Sequence, residues 1–430
     1  MYKAALLLIV FLTGTSLAIT LNKAQEQLLS NNLEIQAIRL NLEKAKVSVK
    51  ESRAALYPSL DASASYRHLT EKGEATVPFN NPFTGKPVGT ITTAPQDNTE
   101  FGIDLSYPFF LGLSRLHSIN AAEEGIESAR ASLVSTKNRL SLQLGILYSR
   151  WLFSYKQLEV RRIFVDQLQL QAEQTVNLFS AGVISRATLL QTQSRLQSAK
   201  TDLLAALDQT DSLKRETLDL IQIADTSIQP SDTLFAFDTV SIPSMVDTAR
   251  PEIVHLNSSI RQIDFTKKAI RGQRMPSLAG SVGYRYANPG LNPTGDAFMG
   301  YGVAGIQAKW NLFDGFRNSA QRAQLDRQVQ ILDVNRKSML DAWKKMLELS
   351  TAQVARTDER IKAGELALEA ARELENELRN AMDAGTATRT DYINAMGGRV
   401  QAELLLEQVR FTKRIAVLNA LYAAGKELRF

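Results

Sequence analysis

Apolar positions along the chain follow two periods. In four short stretches they alternate with polar ones. Leu60, Ala62, Ala64 and Tyr66 share one parity, while Ser59, Asp61, Ser63, Ser65 and Arg67 share the other. Phe101, Ile103, Leu105, Tyr107 and Phe109 alternate with Gly102, Asp104 and Ser106. Leu278, Gly280, Val282, Tyr284 and Tyr286 stand opposite Ser281, Gly283 and Arg285, and Ile306, Ala308, Trp310 and Leu312 opposite Gln307, Lys309 and Asn311. A period of two predicts strands, here apolar on one face only. Elsewhere the chain is rich in Ala, Leu, Gln, Glu, Lys and Arg, with no proline between Pro108 and Pro230 or after Pro293, which predicts long helices. From Leu113 to Ser180 nothing stops a helix, and about 65 residues make a rod of about 100 Å. Seven-residue spacing at Ile126, Leu133, Leu140 and Leu147, and again at Leu325, Leu332, Met339 and Met346, suits packing of such rods side by side.

The pattern occurs twice. Residues 33–67 lie on residues 251–285 without a gap, with Tyr57-Pro-Ser-Leu60 meeting Met275-Pro-Ser-Leu278. After the next loop the offset changes from 218 to 203, and it then holds from Gly102 on Gly305, through Gly112 on Gly315, to Gly182 on Gly385. The expected organisation is a segment 1–18, a first repeat 19–221, a linker 222–250 and a second repeat 251–430. Each repeat is expected to hold a helix, a β-hairpin (about 57–110 and 276–313), a long helix, a tight turn (181–184 and 384–387) and a further helix. Helices over 22–56 and 185–221 together match the length of the long one, as if two half-length helices stack end to end beside it.

The turns have their own chemistry. Ala181-Gly182-Val183 and Ala384-Gly385-Thr386 can end a helix, because glycine takes the left-handed conformation freely. Ser185 and Thr388 can cap the next, and Asp391 stands three residues on, where negative charge suits the helix dipole.

Composition adds little to this plan. The 430 residues carry 50 basic and 45 acidic side chains, net +5, with no basic block of the kind that binds nucleic acid. Without cysteine the chain has no disulfides, thiolate nucleophile or Cys-ligated metal. His68, His117 and His255 lack metal-ligand spacing. The GYGVAG run at 300–305 matches a dinucleotide fingerprint in letters only, since it opens a predicted strand and not a helix. No cofactor, metal or catalytic residue is expected. Lys3, the apolar run Ala4 to Leu12 and Ser16-Leu17-Ala18 are expected to be a cleaved secretory signal peptide, with maturation near Ile19.

One-sided strands behind a signal peptide fit a transmembrane barrel with apolar residues facing lipid. Tyr66, Tyr107, Phe109, Tyr284 and Trp310 are then candidates for the lipid interface. A half-buried soluble sheet gives the same alternation. Four strands cannot close a membrane barrel, but three chains would supply twelve strands and six near-equivalent units.

These residues, taken in order, resemble the TolC-type outer-membrane efflux protein family: Leu21-Asn-Lys-Ala24, Asn31-Asn32-Leu33-Glu34, the two Pro-Ser-Leu strand starts, Leu312-Phe-Asp-Gly315 and both glycine turns. The resemblance implies a homotrimer, mostly α with β: a twelve-stranded barrel in the outer membrane on a periplasmic α-barrel of long helical hairpins. It implies a passive exit duct for tripartite drug efflux or type I secretion, partnered by a periplasmic adaptor and an inner-membrane transporter. Adaptors would dock at the turns, through Ala181, Gly182, Val183, Ser185, Ala384, Gly385, Thr386 and Thr388. Asp391, Asn394 and Arg389 would stand at the aperture, with Asp391 matching a family aspartate. Asp391 also suits a helix cap, and both roles are carried forward. Thr188 and Ala387 replace the aspartate and arginine of some members, so a closing salt link between those positions is absent. The alternative from another class is a secreted or periplasmic coiled-coil scaffold or adhesion protein without a pore.

Overall fold

The computed structural model describes residues 18–85, 87–225, 227–232, 241–292 and 297–430. The expected signal peptide lies outside them, apart from Ala18. In chain order the elements are β1 (Ala18–Ile19), α1 (Leu21–Asn31), α2 (Leu33–Ala54), β2 (Ser59–His68), β3 (Gly73–Asn80), β4 (Pro87–Ala94) and β5 (Asp97–Leu111). There follow α3 (Ser114–Ser180), α4 (Arg186–Leu220), β6 (Gln229–Pro230), α5 (Pro251–Gly272), β7 (Ser277–Asn288), β8 (Met299–Lys309), α6 (Arg317–Asp383) and α7 (Arg389–Ala424). The two long helices are both 67 residues.

The residues form two compact units. One holds the described residues up to Leu40, Ala131–Ile253 and Asn335–Phe430; the other holds Asn41–Arg130 and Val254–Val334. The first unit is helical and has the larger core. Trp151, Tyr148, Leu140, Leu144 and Leu152 of α3 pack with Leu28 and Ile35 and with Leu218 and Ile221, all at most 2% exposed. Large side chains from four segments thus exclude water along one helix, each burial stabilising by about 1.5–3 kcal/mol. The Tyr148 hydroxyl donates to the Ile19 carbonyl at 2.9 Å, and burial raises its pKa. Arg250, 2% exposed, lies 3.7 Å above the Trp343 ring, ion-pairs with Glu252 at 3.2 Å and donates to the Ala423 carbonyl at 2.8 Å. A buried guanidinium needs such partners, because its desolvation is otherwise uncompensated.

The second unit carries a four-stranded antiparallel sheet in the order β2-β5-β7-β8. Its two hairpins share one register. Ser59 pairs with Ser106 and Leu60 with Leu105 in the first, and Ser277 with Lys309 and Leu278 with Ala308 in the second. A bulge between Pro108 and Phe110 interrupts β5, at a residue that has no N–H to give. Gly112, at φ +62°, sits so close to α5 that a Cβ would come 2.0 Å from the Gly272 carbonyl oxygen. Only two glycines permit that approach.

Three local expectations are corrected. The stretch 57–110 holds four strands, not one hairpin, because β3 and β4 pair with each other in a sheet of their own. The helix expected over 22–56 breaks at Asn32, whose Oδ1 accepts from the Glu34 and Ile35 N–H groups and caps α2. The last strand stops at Lys309, leaving Trp310 and Leu312 beyond it. Helix α7 ends at Gly425, left-handed at φ +88°.

Candidate functional site

Both turns are built by the same device. At the end of α3 the Val183 N–H reaches the Leu178 carbonyl at 2.9 Å and the Gly182 N–H reaches Phe179 at 2.9 Å. At the end of α6 Thr386 bonds to Ala381 at 2.8 Å and Gly385 to Met382 at 3.1 Å. With Gly182 at φ +71° and Gly385 at φ +75°, each is a Schellman cap that satisfies carbonyls the helix leaves orphaned. Space around either glycine is open, so backbone conformation alone calls for them.

The following helices differ in their first turn. Ser185 accepts from the Thr188 N–H at 3.2 Å. Thr388 accepts from the Asp391 N–H at 3.2 Å, and the Asp391 carboxylate takes the Thr388 N–H at 3.1 Å in return, closing a capping box. Hydrogen bonds from the Thr388 hydroxyl and N–H hold the Asp391 pKa below its ordinary value. Asp391 and Asn394 are exposed one turn apart, while Tyr392 and Ile393 between them are buried.

Arg389 is the candidate whose partners the sequence could not supply. Its guanidinium donates to Gln171 and, at 2.7 Å, to Gln174 of α3. Ten residues further along α7, Arg399 ion-pairs with Glu375 of α6 and with Glu403 at 2.9 Å, and donates to Gln167 of α3 at 3.2 Å. Ile393 joins Val165, Leu168, Ala172, Leu196 and Ala199 in one cluster. The start of α7 is therefore fixed by two arginines and one isoleucine to the last turns of α3 and to α6. The i,i+4 spacing of Arg399 and Glu403 was a visible signal; Glu375, 24 residues away, was not.

The sheet carries the second set of candidates. Leu60, Tyr66, Phe101, Ile103, Leu105, Val282, Tyr284 and Ile306 all lie between 45% and 76% exposed on its apolar face. Tyr107 and Phe109 meet edge to face at 5.3 Å near the end that leads into α3. Trp310 donates its ring N–H to the Arg274 carbonyl at 3.1 Å, just past β8. Tyr66, near the opposite strand ends, donates to Asp97 at 2.7 Å. Aromatic side chains thus stand toward both ends of the strands. On the other face Arg285 bridges Glu100 at 2.9 Å and Asp104 at 2.8 Å, above Gly102, which has no side chain to obstruct it.

The described residues include no group of three or more metal-ligating side chains, and no helix among them is long and apolar enough to cross a membrane. The GYGVAG run lies within β8. His255 bonds to Ser128 at 2.9 Å in a helix contact.

This combination of one-faced sheet, paired 67-residue helices and glycine-turned hairpins is the fold of outer-membrane channels. The sequence of residues 24–219 matches the outer membrane efflux protein family, as the resemblance led one to expect. The Campylobacter jejuni CmeC outer membrane channel superposes with a TM-score of 0.78 at 15% identity, covering 95% of this chain and 86% of its own. The outer membrane protein VceC of Vibrio cholerae gives 0.73 at 17%, covering 94% and 96%. The open state of the Neisseria gonorrhoeae MtrE outer membrane channel gives 0.72 at 16%, covering 95% and 89%. No curated protein matches the sequence.

Proposed function

We propose that the chain is the outer-membrane channel component of a tripartite efflux pump or type I secretion system, a passive exit duct across periplasm and outer membrane. The observation that carries it is the four-stranded sheet, with uncovered apolar side chains on one face, charged ones on the other, and two open edges, β2 and β8. Open edges do not survive in lipid, where each backbone group needs a partner. Three copies supply twelve strands, an even number above the minimum of eight for such barrels. The apolar face then meets lipid, with Tyr66, Tyr107, Phe109 and Trp310 toward its borders and the interface candidate Tyr284 nearer mid-strand, opposite Ile103. The charged face lines water.

The helical hairpins extend the duct into the periplasm. Their turns at 181–185 and 384–388 are the docking points for a periplasmic adaptor, which couples the duct to an inner-membrane transporter. Asp391 and Asn394 line the aperture, and Arg389 belongs to the apparatus that holds it. Nothing in this scheme requires a reaction, since the energy comes from the transporter. Outer-membrane fractionation followed by mass measurement in detergent tests the assignment: a trimer in the outer-membrane fraction supports it, and a detergent-independent soluble monomer overturns it.

A further inference from the structure

The two corners at which a hairpin returns to its long helix share one backbone and differ in chemistry. Gly112-Leu113 before α3 and Gly315-Phe316 before α6 are all left-handed, at φ +62°, +63°, +65° and +67°. The turn, strained at its second residue, therefore belongs to the repeated fold. The side chains around it do not. Gln273, Arg274, Asn311, Asp314, Asn318 and Ser319 surround the second corner. The equivalent residues of the first are Ala55, Leu56, Pro108, Leu111, Arg115 and Leu116. The same backbone turns without that polar set in its other copy, so folding does not account for it.

These six residues, with Leu312, Phe313 and Phe316, line a cavity of about 290 Å³. Asn318 is 7% exposed. Its amide donates to the Asp314 carboxylate at 2.7 Å and its N–H donates to the same oxygen at 3.0 Å. Its own Oδ1 has no partner. A buried acceptor in that state is costly unless something donates to it. The two hydrogen bonds from Asn318, and the Arg274 charge nearby, hold the Asp314 pKa below its ordinary value, so the carboxylate is ionised at neutral pH. One negative charge, one neutral acceptor and one guanidinium thus share the cavity.

That set selects its ligand. A lone cation would meet Arg274 and a lone anion Asp314, whereas a zwitterion is attracted by both. Its positive end has to carry N–H groups, because only a donor satisfies Asn318 Oδ1; a primary ammonium has three and a quaternary ammonium none. The surroundings are apolar: Leu312, Phe313 and Phe316 are 78%, 72% and 73% exposed, and Trp310 donates its ring N–H to the Arg274 carbonyl. Aromatic side chains of this kind suit the border between lipid and water. We infer that the corner binds the headgroup of a phospholipid bearing a primary ammonium, phosphatidylethanolamine in kind. The phosphate meets the Arg274 guanidinium, the ammonium meets Asp314 and Asn318 Oδ1, and the acyl chains lie over Leu312, Phe313 and Phe316. The site depends on the sheet lying in the outer membrane, as proposed above, where the corner falls just past the end of β8.

The test offers the full-length protein, purified in detergent and stripped of lipid, phosphatidylethanolamine, phosphatidylcholine or phosphatidylglycerol at equal concentration. Native mass spectrometry should count one phosphatidylethanolamine per chain and several-fold less of the other two. Arg274→Leu copies Leu56 of the first corner, which folds with that residue, and should lower phosphatidylethanolamine retention several-fold. Arg274→Lys should retain part of it. Asn318→Leu should lower it as well, and the arginine variants carry the test if loss of the Asp314 hydrogen bonds prevents folding. Glycerophosphoethanolamine, the same headgroup without acyl chains, should compete only weakly; competition as strong as by the lipid makes a soluble zwitterion the ligand and overturns the lipid assignment. Equal retention of the three lipids, or retention unchanged in Arg274→Leu, overturns the site and leaves the duct standing. Wild-type protein that is a detergent-independent soluble monomer overturns the duct and the site together.

Discussion

The Asp391 carboxylate accepts hydrogen bonds from both the hydroxyl and the N–H of Thr388, while the Thr388 hydroxyl takes the Asp391 N–H. One residue thus closes the first turn of α7 and places an exposed negative charge at the tip. The capping role is visible in the geometry, and it coexists with the charge.

Two substitutions separate these roles. Asp391→Asn keeps a side chain that can accept from Thr388 and removes the charge; Asp391→Ala removes both. If the proposed trimer sets three Asp391 charges in a ring, block of the pore by multivalent cations from the periplasmic side should weaken in both variants. Amide exchange in the first turn of α7 should rise more in the alanine variant. Block unchanged in both would leave Asp391 a cap alone.

The same carboxylate sets a pH dependence. Its folded pKa lies below the ordinary aspartate value, so the cap stabilises the fold fully above about pH 4. That contribution is lost as pH falls through the lowered folded value. Amide exchange at Asp391, corrected for intrinsic rate, should therefore accelerate below about pH 4 and stay flat from pH 5 to 8. Acceleration across pH 5 to 8 would require a different group.

Arg389 ties the start of α7 to Gln171 and Gln174 of α3. If this clamp holds the tip narrow, Arg389→Ala should raise single-channel conductance, and Arg389→Lys, which keeps one point charge but not the planar fork, should fall between. Equal conductance in all three proteins would remove Arg389 from the aperture.

Gly112 and Gly315 occupy equivalent positions with φ near +62° and +65°, yet only Gly112 has a backbone oxygen 2.0 Å from where a Cβ would be. Gly315→Ala should cost about 1–2 kcal/mol, the penalty of a left-handed non-glycine residue. Gly112→Ala adds a clash with the Gly272 backbone and should lower the melting temperature in detergent further. Equal melting temperatures would contradict the close approach.

Much of this plan was legible because period-two alternation, proline placement and the repeat are local or collinear signals. The bounds of the long helices fell within a residue or two of expectation, and Ser185 and Thr388 cap as their hydroxyls suggested. The misses have physical causes. Asn32 caps α2 in mid-helix because its amide also donates to the Leu220 carbonyl at 3.0 Å, a partner 188 residues away. The β3–β4 hairpin hid in a stretch whose alternation is broken by prolines and glycines. Arg389 meets Gln174, Arg399 meets Glu375 and Arg250 meets Trp343 only when distant segments come together, and no spacing in the chain encodes those contacts.

Conductance of the purified wild-type protein in a planar lipid bilayer bears most directly on whether this chain forms a duct. Discrete, long-lived single-channel steps, reduced by multivalent cations added on the side that faces the helical turns, are the expected result. A protein that assembles as a trimer, inserts into the bilayer and passes no current would contradict it.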